Sequence, residues 1–196
     1  MSTDHFGRRA WSDELFQEKN SAGFYVIAAA VIEPAALAEA SAAMQDLRGS
    51  RSTAKSHWTE MDHKQKTRAA ELVAGIDGMH VVTVGSPVPA RRQERARSKC
   101  LAHLVRELHS LGVDHLFMEA REAQLNKRDI KTVQHARFTL PKGASFRIEH
   151  RHGGQEPLLW VADIVAGARR AHELGAKDYW AALEEVALEV AVETGC

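Results

Sequence analysis

The sequence predicts an α/β protein: a mixed sheet of about five strands with helices on its faces. Three observations carry this. Residues 24–32 (FYVIAAAVI) are aromatic and β-branched at both ends and read as a central strand. Further on, the strand-like segments 79–85 (MHVVTVG), 114–121 (DHLFMEAR) and 144–151 are separated by helical ones. Finally, residues 157–168 (PLLWVADIVAGA) are apolar or Gly at eleven of twelve positions. Such a helix is buried on every side, and its run is too short to span a bilayer. Pro157 suits its first position. With 196 residues, 44% of them apolar, the chain fits one domain, residues 1–196, with a helical insertion at about 34–77.

In order, the polar residues 1–7 give way to a short strand at 10–15 (AWSDEL) that ends in acids. Asn20-Ser21-Ala22-Gly23 lies in a turn before the central strand, whose three alanines leave helix as the alternative. Glu33-Pro34 ends that strand and Pro34 opens a helix to about 48. A loop at 49–53 and a segment at 54–60, loop or short strand, precede a helix capped by Asp62 and running to about 76. The strand 79–85 follows, then a loop bounded by Pro87 and Pro89, then a helix over 90–111 closed by Gly112. Strand 114–121, a helix over 126–135, extended or loop residues to 141, and strand 144–151 come next. The apolar helix runs from 157 to about 174, and a last helix is expected over 178–192. Early strands joined without a crossover pair antiparallel; later strands separated by helices pair parallel. This is the element order of the ribonuclease H-like fold, with a helical pair inserted between strands 2 and 3.

Charge and cysteines bound the function. Lys plus Arg and Asp plus Glu are 26 each, which argues against a whole-surface nucleic-acid binder whose affinity rests on phosphate neutralisation. A local basic face is not excluded. Cys100 and Cys196 form no CxxC and no zinc spacing, so free thiols in a reducing, cytoplasmic setting are expected. No apolar signal-peptide core and no membrane span is read. The eleven histidines are scattered without an HExxH.

The acids carry the chemistry. Asp163 is the single charge in the apolar helix, where a carboxylate is costly unless paired, protonated or on a metal. Asp13 and Glu14 lie on the first strand, on opposite faces. Glu119 lies near the carboxyl end of its strand, where sites gather in parallel sheets, and Asp129 follows shortly after. The predicted topology sets the first strand beside the one that carries Glu119. An acid from each, with Asp163 from the final helix and with Glu14 and Asp129 in reserve, would hold Mg²⁺ or Mn²⁺, since hard cations take carboxylate oxygens and stabilise charge in phosphodiester cleavage. Each acid also has an ordinary reading, as a cap, a surface residue or half of a salt bridge.

Ser12-Asp13-Glu14 before FYVIAAAVI, and Leu159-Trp160-Val161-Ala162-Asp163, resemble the DUF3800 family. That family opens with an Asp-Glu-Ser-Gly strand before an apolar strand and ends with a Leu-Gln-x-Ala-Asp helix. Leu15-Phe16 here replace the Ser-Gly, and Trp160 replaces the Gln. The resemblance implies a ribonuclease H-like fold and a metal-dependent, nuclease-like site at Asp13, Glu119 and Asp163.

Arg92 and Arg95 begin a basic stripe that continues through Lys99, His103 and Arg106, opposite Leu101, Leu104, Leu108 and Leu111. Lys127, Arg128, Lys131 and Arg137 form a second basic group, placed at the mouth of the predicted site. Either is a phosphate-binding face or a solvated helix side. Lys55 and His57 are candidates to hold a phosphate and move a proton, and His150 and His152 to flank the site. Acidic and amphipathic, residues 178–192 would pack on the body or against a second copy. Two readings stand: a divalent-metal nuclease acting on DNA or RNA, and a non-catalytic module binding nucleic acid or protein. A hydrolase using the histidines is a third.

Overall fold

The computed structural model describes residues 8–19, 22–49 and 57–196. Lys55 lies outside them. The chain forms strands β1 (Arg8–Gln17) and β2 (Gly23–Ile32), helices α1 (Leu37–Arg48) and α2 (His63–Ala74), then β3 (Gly78–Val88), α3 (Gln93–Ser110), β4 (Val113–Glu119), α4 (Ala123–Ala136), β5 (Arg147–Arg151), α5 (Leu158–Glu173), the short α6 (Asp178–Ala181) and β6 (Ala187–Glu193). The strands make one mixed sheet in the order β5-β4-β1-β2-β3-β6. β2 is antiparallel to β1 and β3, and every other pairing is parallel.

Alternation along the strands builds two cores. Trp11, Val26, Ala28, Ala30, Val82 and Phe117 face α1, α2 and α5. Ala10, Ile27, Ala29, Leu116 and Met118 face α3 and α4. Every residue of β2 is buried. Its three alanines let helices approach both faces closely, which is why a run that could read as helix is the middle of the sheet.

Local chemistry sets the element ends. Asp62 Oδ1 accepts the Gln65 N–H at 2.9 Å and Gln65 Oε1 accepts the Asp62 N–H at 3.0 Å, a reciprocal cap that starts α2. Gly112, with φ near +80°, takes the left-handed turn from α3 into β4.

The carboxyl-terminal segment corrects one expectation. Residues 178–192 do not form a long helix; α6 is four residues, and 187–193 become a sixth strand on β3. Tyr179, Leu183, Val186 and Val190 repeat at helical spacing, but Val190 and Val192 also alternate. The exposed edge of β3 supplies a parallel partner that outweighs a weak helical preference. A dimer through a carboxyl-terminal helix therefore has no helix to use. Among the described residues no helix is long and apolar enough to cross a membrane, and both cysteines are free thiols.

Candidate carboxylate site

The parallel ladder of β1 and β4 pairs Ser12 with Met118. Asp13 and Glu119 are each one residue further along, so they occupy neighbouring positions on strands about 4.8 Å apart. Trp11 and Phe117, two residues before them, belong to the core under α5, and the period of two puts both acids on that same face. Asp13 is 8% exposed, and its Oδ1 accepts the Glu14 N–H at 2.8 Å.

Helix α5 brings the third acid. At its start Trp160 Nε1 donates to the Gly153 carbonyl just past β5, at 2.6 Å. At its end Arg169 grips Glu189 of β6 at 2.6 and 2.7 Å, and Arg170 Nε donates to Gln17 Oε1 of β1 at 2.6 Å. These anchors draw the helix across the sheet rather than along one strand. Asp163 precedes Arg170 by two turns, about 10 Å along the axis, and shares a side of the helix with it. It is half-buried.

Asp163 also holds a connection in place. Its Oδ2 accepts the Trp58 N–H at 2.8 Å. One turn on, Gly167 lies under the Trp58 indole, where a Cβ would sit 2.2 Å from Cγ. The buried indole makes an edge-on contact with Tyr179, ring centres 5.2 Å apart. Half-buried His57 immediately precedes this anchor, so the segment that carries it is tied to Asp163.

Glu14 and Asp129 are not in this group. Glu14 points to the other face of β1, where its carboxylate pairs with Arg97 of α3. Arg97 also makes a two-pronged bond to Asp129 of α4, at 2.9 and 2.8 Å, and donates to the Tyr25 hydroxyl at 3.2 Å. Arg121 joins Asp129 at 3.1 Å and Glu94 at 2.8 Å. The reserve roles expected for Glu14 and Asp129 as metal ligands are corrected accordingly, because arginines already compensate their charges and the sheet separates them from Asp13. His150 sits with them, Nε2 3.3 Å from Asp129 Oδ2, rather than beside the acids under α5.

Burial pushes the Glu14 carboxyl up to about 7 against the pull of Arg97. Burial works the same way on Asp129, but hydrogen bonds from His150 and Arg97 outweigh it and hold that carboxyl well below the usual range. Arg97 was legible in principle: it occupies a stripe position of α3 that continues as Leu101, Leu104 and Leu108, and it is 1% exposed. An arginine at an apolar position of a helix requires buried acids. Of the basic groups, Arg92 and Arg95 are exposed around the start of α3, and Lys127, Arg128 and Lys131 are exposed on α4.

Among the described residues no three of His, Cys, Asp and Glu converge as a formed metal cluster. Asp13 and Glu119 are two carboxylates at neighbouring register positions. That suits Mg²⁺, which keeps several waters and takes one or two carboxylates together with substrate phosphates rather than a protein cage.

No family model matches the chain, and no curated protein matches it. Its fold does have solved counterparts. A chain in the structure of the PCNA:RNase HII complex from Archaeoglobus fulgidus superposes with a TM-score of 0.54 at 16% identity, over 85% of this chain and 73% of that one. The six-stranded mixed sheet flanked by helices, in this strand order, is a ribonuclease H-like fold.

Proposed function

We propose that this chain is a divalent-metal-dependent nuclease of the DUF3800 type, hydrolysing nucleic-acid phosphodiesters at Asp13, Glu119 and Asp163. The observation that carries the reading is the β1–β4 register, which sets Asp13 beside Glu119 on the face crossed by the helix bearing Asp163. The nuclease-like fold supports it. Asp13 and Glu119 would hold Mg²⁺ or Mn²⁺, with Asp163 completing the set. A divalent cation supplies charge neutralisation on the phosphate and lowers the pKa of water. The chain's own groups do the positioning: the Glu14 N–H orients Asp13, and the Trp58 N–H orients Asp163. Lys55 and His57 would contact the phosphate or move a proton, and Lys127, Arg128, Lys131, Arg92 and Arg95 would meet the nucleic-acid backbone.

Asp163→Asn keeps an oxygen to accept the Trp58 N–H, so this variant is expected to lose Mn²⁺-dependent cleavage of a labelled oligonucleotide while its unfolding midpoint stays put. Asp163→Ala removes both roles and is expected to lose cleavage and about 1–3 kcal/mol of stability, measured by urea unfolding, because the Trp58 N–H is left buried without an acceptor. Cleavage by Asp163→Asn equal to that of the unaltered chain would refute the site.

A non-catalytic module binding nucleic acid or protein is the second reading. The structural bond from Trp58 to Asp163 favours it, since that bond gives the acid a role without chemistry.

A further inference from the structure

Among the described residues Phe138 is 88% exposed, far beyond the other large apolar residues at the surface, the next being Leu174 at 50%. It lies in the 3-10 turn Arg137–Thr139 that follows α4. Ile130, Gln134 and Phe138 succeed one another at four-residue steps, and Ile130 is itself 37% exposed. Together they form an outward strip on an otherwise polar surface.

The charge around this strip is one-sided. Between Ala123 and Phe146 the chain carries Lys127, Arg128, Lys131, Arg137 and Lys142, and its single acid is Asp129. Asp129 is 2% exposed and bound to Arg97 and Arg121, so it offers the surface nothing. Two outer acids lie toward the start of α4: Glu122 at its cap, and Glu94, which Arg121 holds at 2.8 Å and Arg128 meets at 4.0 Å. The far end of the helix, with Lys131, Arg137 and Lys142, has no ion pair among the described residues. A chain with 26 basic and 26 acidic residues has thus segregated them. Beside Phe138 lies a recess of about 520 Å³ lined by Gln134, His135, Arg137, Phe138 and Ala144. His135 Nδ1 bonds the Lys131 carbonyl at 2.7 Å, which fixes the ring on the rim.

We infer that the outer face of α4 and the Phe138 turn bind single-stranded nucleic acid, with Phe138 as the stacking platform for a base and Lys131, Arg137 and Lys142 on the phosphates. An exposed aromatic amid cations meets a π-face and a backbone charge at once, without reading sequence. A duplex hides its base faces and cannot use Phe138, so the single strand is the partner that fits. The inference rests on the nucleic-acid part of the proposed function but not on cleavage.

The test is fluorescence anisotropy of the full chain with labelled single-stranded DNA and RNA 12-mers in EDTA, across a salt series. Phe138→Ala is expected to weaken binding roughly 5- to 100-fold. Lys131→Gln and Arg137→Gln should each lower the salt slope by about 0.7. Phe138→Trp should bind like the unaltered chain, with its indole emission quenched by the oligonucleotide. Unchanged binding by Phe138→Ala, absence of quenching, or no binding at low salt overturns the inference. So does a sedimentation shift showing that Phe138→Ala breaks up a dimer, which would make the strip a self-contact. Binding through Phe138 by a chain that cleaves nothing keeps this inference and removes the nuclease reading; cleavage that survives with unchanged binding in Phe138→Ala does the reverse.

Discussion

Asp13 and Glu14 are consecutive, yet they belong to different chemistries. On one face of β1, Asp13 lies one register position from Glu119, on the face crossed by the helix that carries Asp163. On the other, Glu14 is packed into a network where Arg97 and Arg121 answer Asp129 and Glu94. The first is the place proposed for a cation. The second is already neutralised and gains from nothing that could bind. A strand's period of two is enough to separate a candidate reaction site from its mechanical support by the thickness of one sheet.

The comparison predicts unequal costs for removing charge on the two sides. Arg97→Met should cost about 3–5 kcal/mol in urea unfolding, because it strips the partner from Glu14 and most of the compensation from Asp129 while both stay buried. Asp13→Asn should cost less than about 1 kcal/mol, since its oxygen still accepts the Glu14 N–H. Similar losses in the two variants would break the distinction between the faces.

How far the sequence revealed this divides along the same line. The strands around FYVIAAAVI, the placement of α5 and the convergence of Asp13 with Glu119 follow from periodicity and crossover rules, which act locally. The arginine network does not, because nothing near Arg97 in the chain names Glu14, Tyr25 or Asp129; only its intrusion into the Leu101–Leu108 stripe hints that acids await it. β6 was hidden for a related reason. ALEVAVE carries both helical and alternating patterns, and only the free edge of β3 decides between them. Asp163 was conspicuous as the lone charge in an apolar helix, but its bond to the Trp58 N–H depends on a connection whose residues have no periodicity to read.

A smaller effect sharpens the comparison through pH. His80 of β3 is 1% exposed, on the Asp13 face with Val82, and burial pulls it down to about 4. It stays neutral in the fold while the unfolded chain binds a proton below the ordinary histidine value of 6.5. Its contribution is therefore harmless above 6.5, and it destabilises progressively as pH falls from 6.5 toward 4. Glu14, raised from 4.5 to about 7, has the opposite sign: the fold holds its proton longer than the unfolded chain does, so the stability it lends is full below 4.5 and lost as pH rises through 7. The two slopes oppose each other across pH 4.5–6.5, so the unaltered chain should show a shallow profile there. Replacing His80 by Gln, which can still donate to the Val73 carbonyl, removes one slope only. Relative to that variant, the unaltered chain should lose about 2 kcal/mol between pH 7 and pH 5. Half-exposed His103 and His115, both lowered by burial, remain in both chains and cancel in the difference. A difference that does not change with pH would mean that His80 is reached by water in the native state, and that the core under α1 and α2 is less tightly closed than its burial implies.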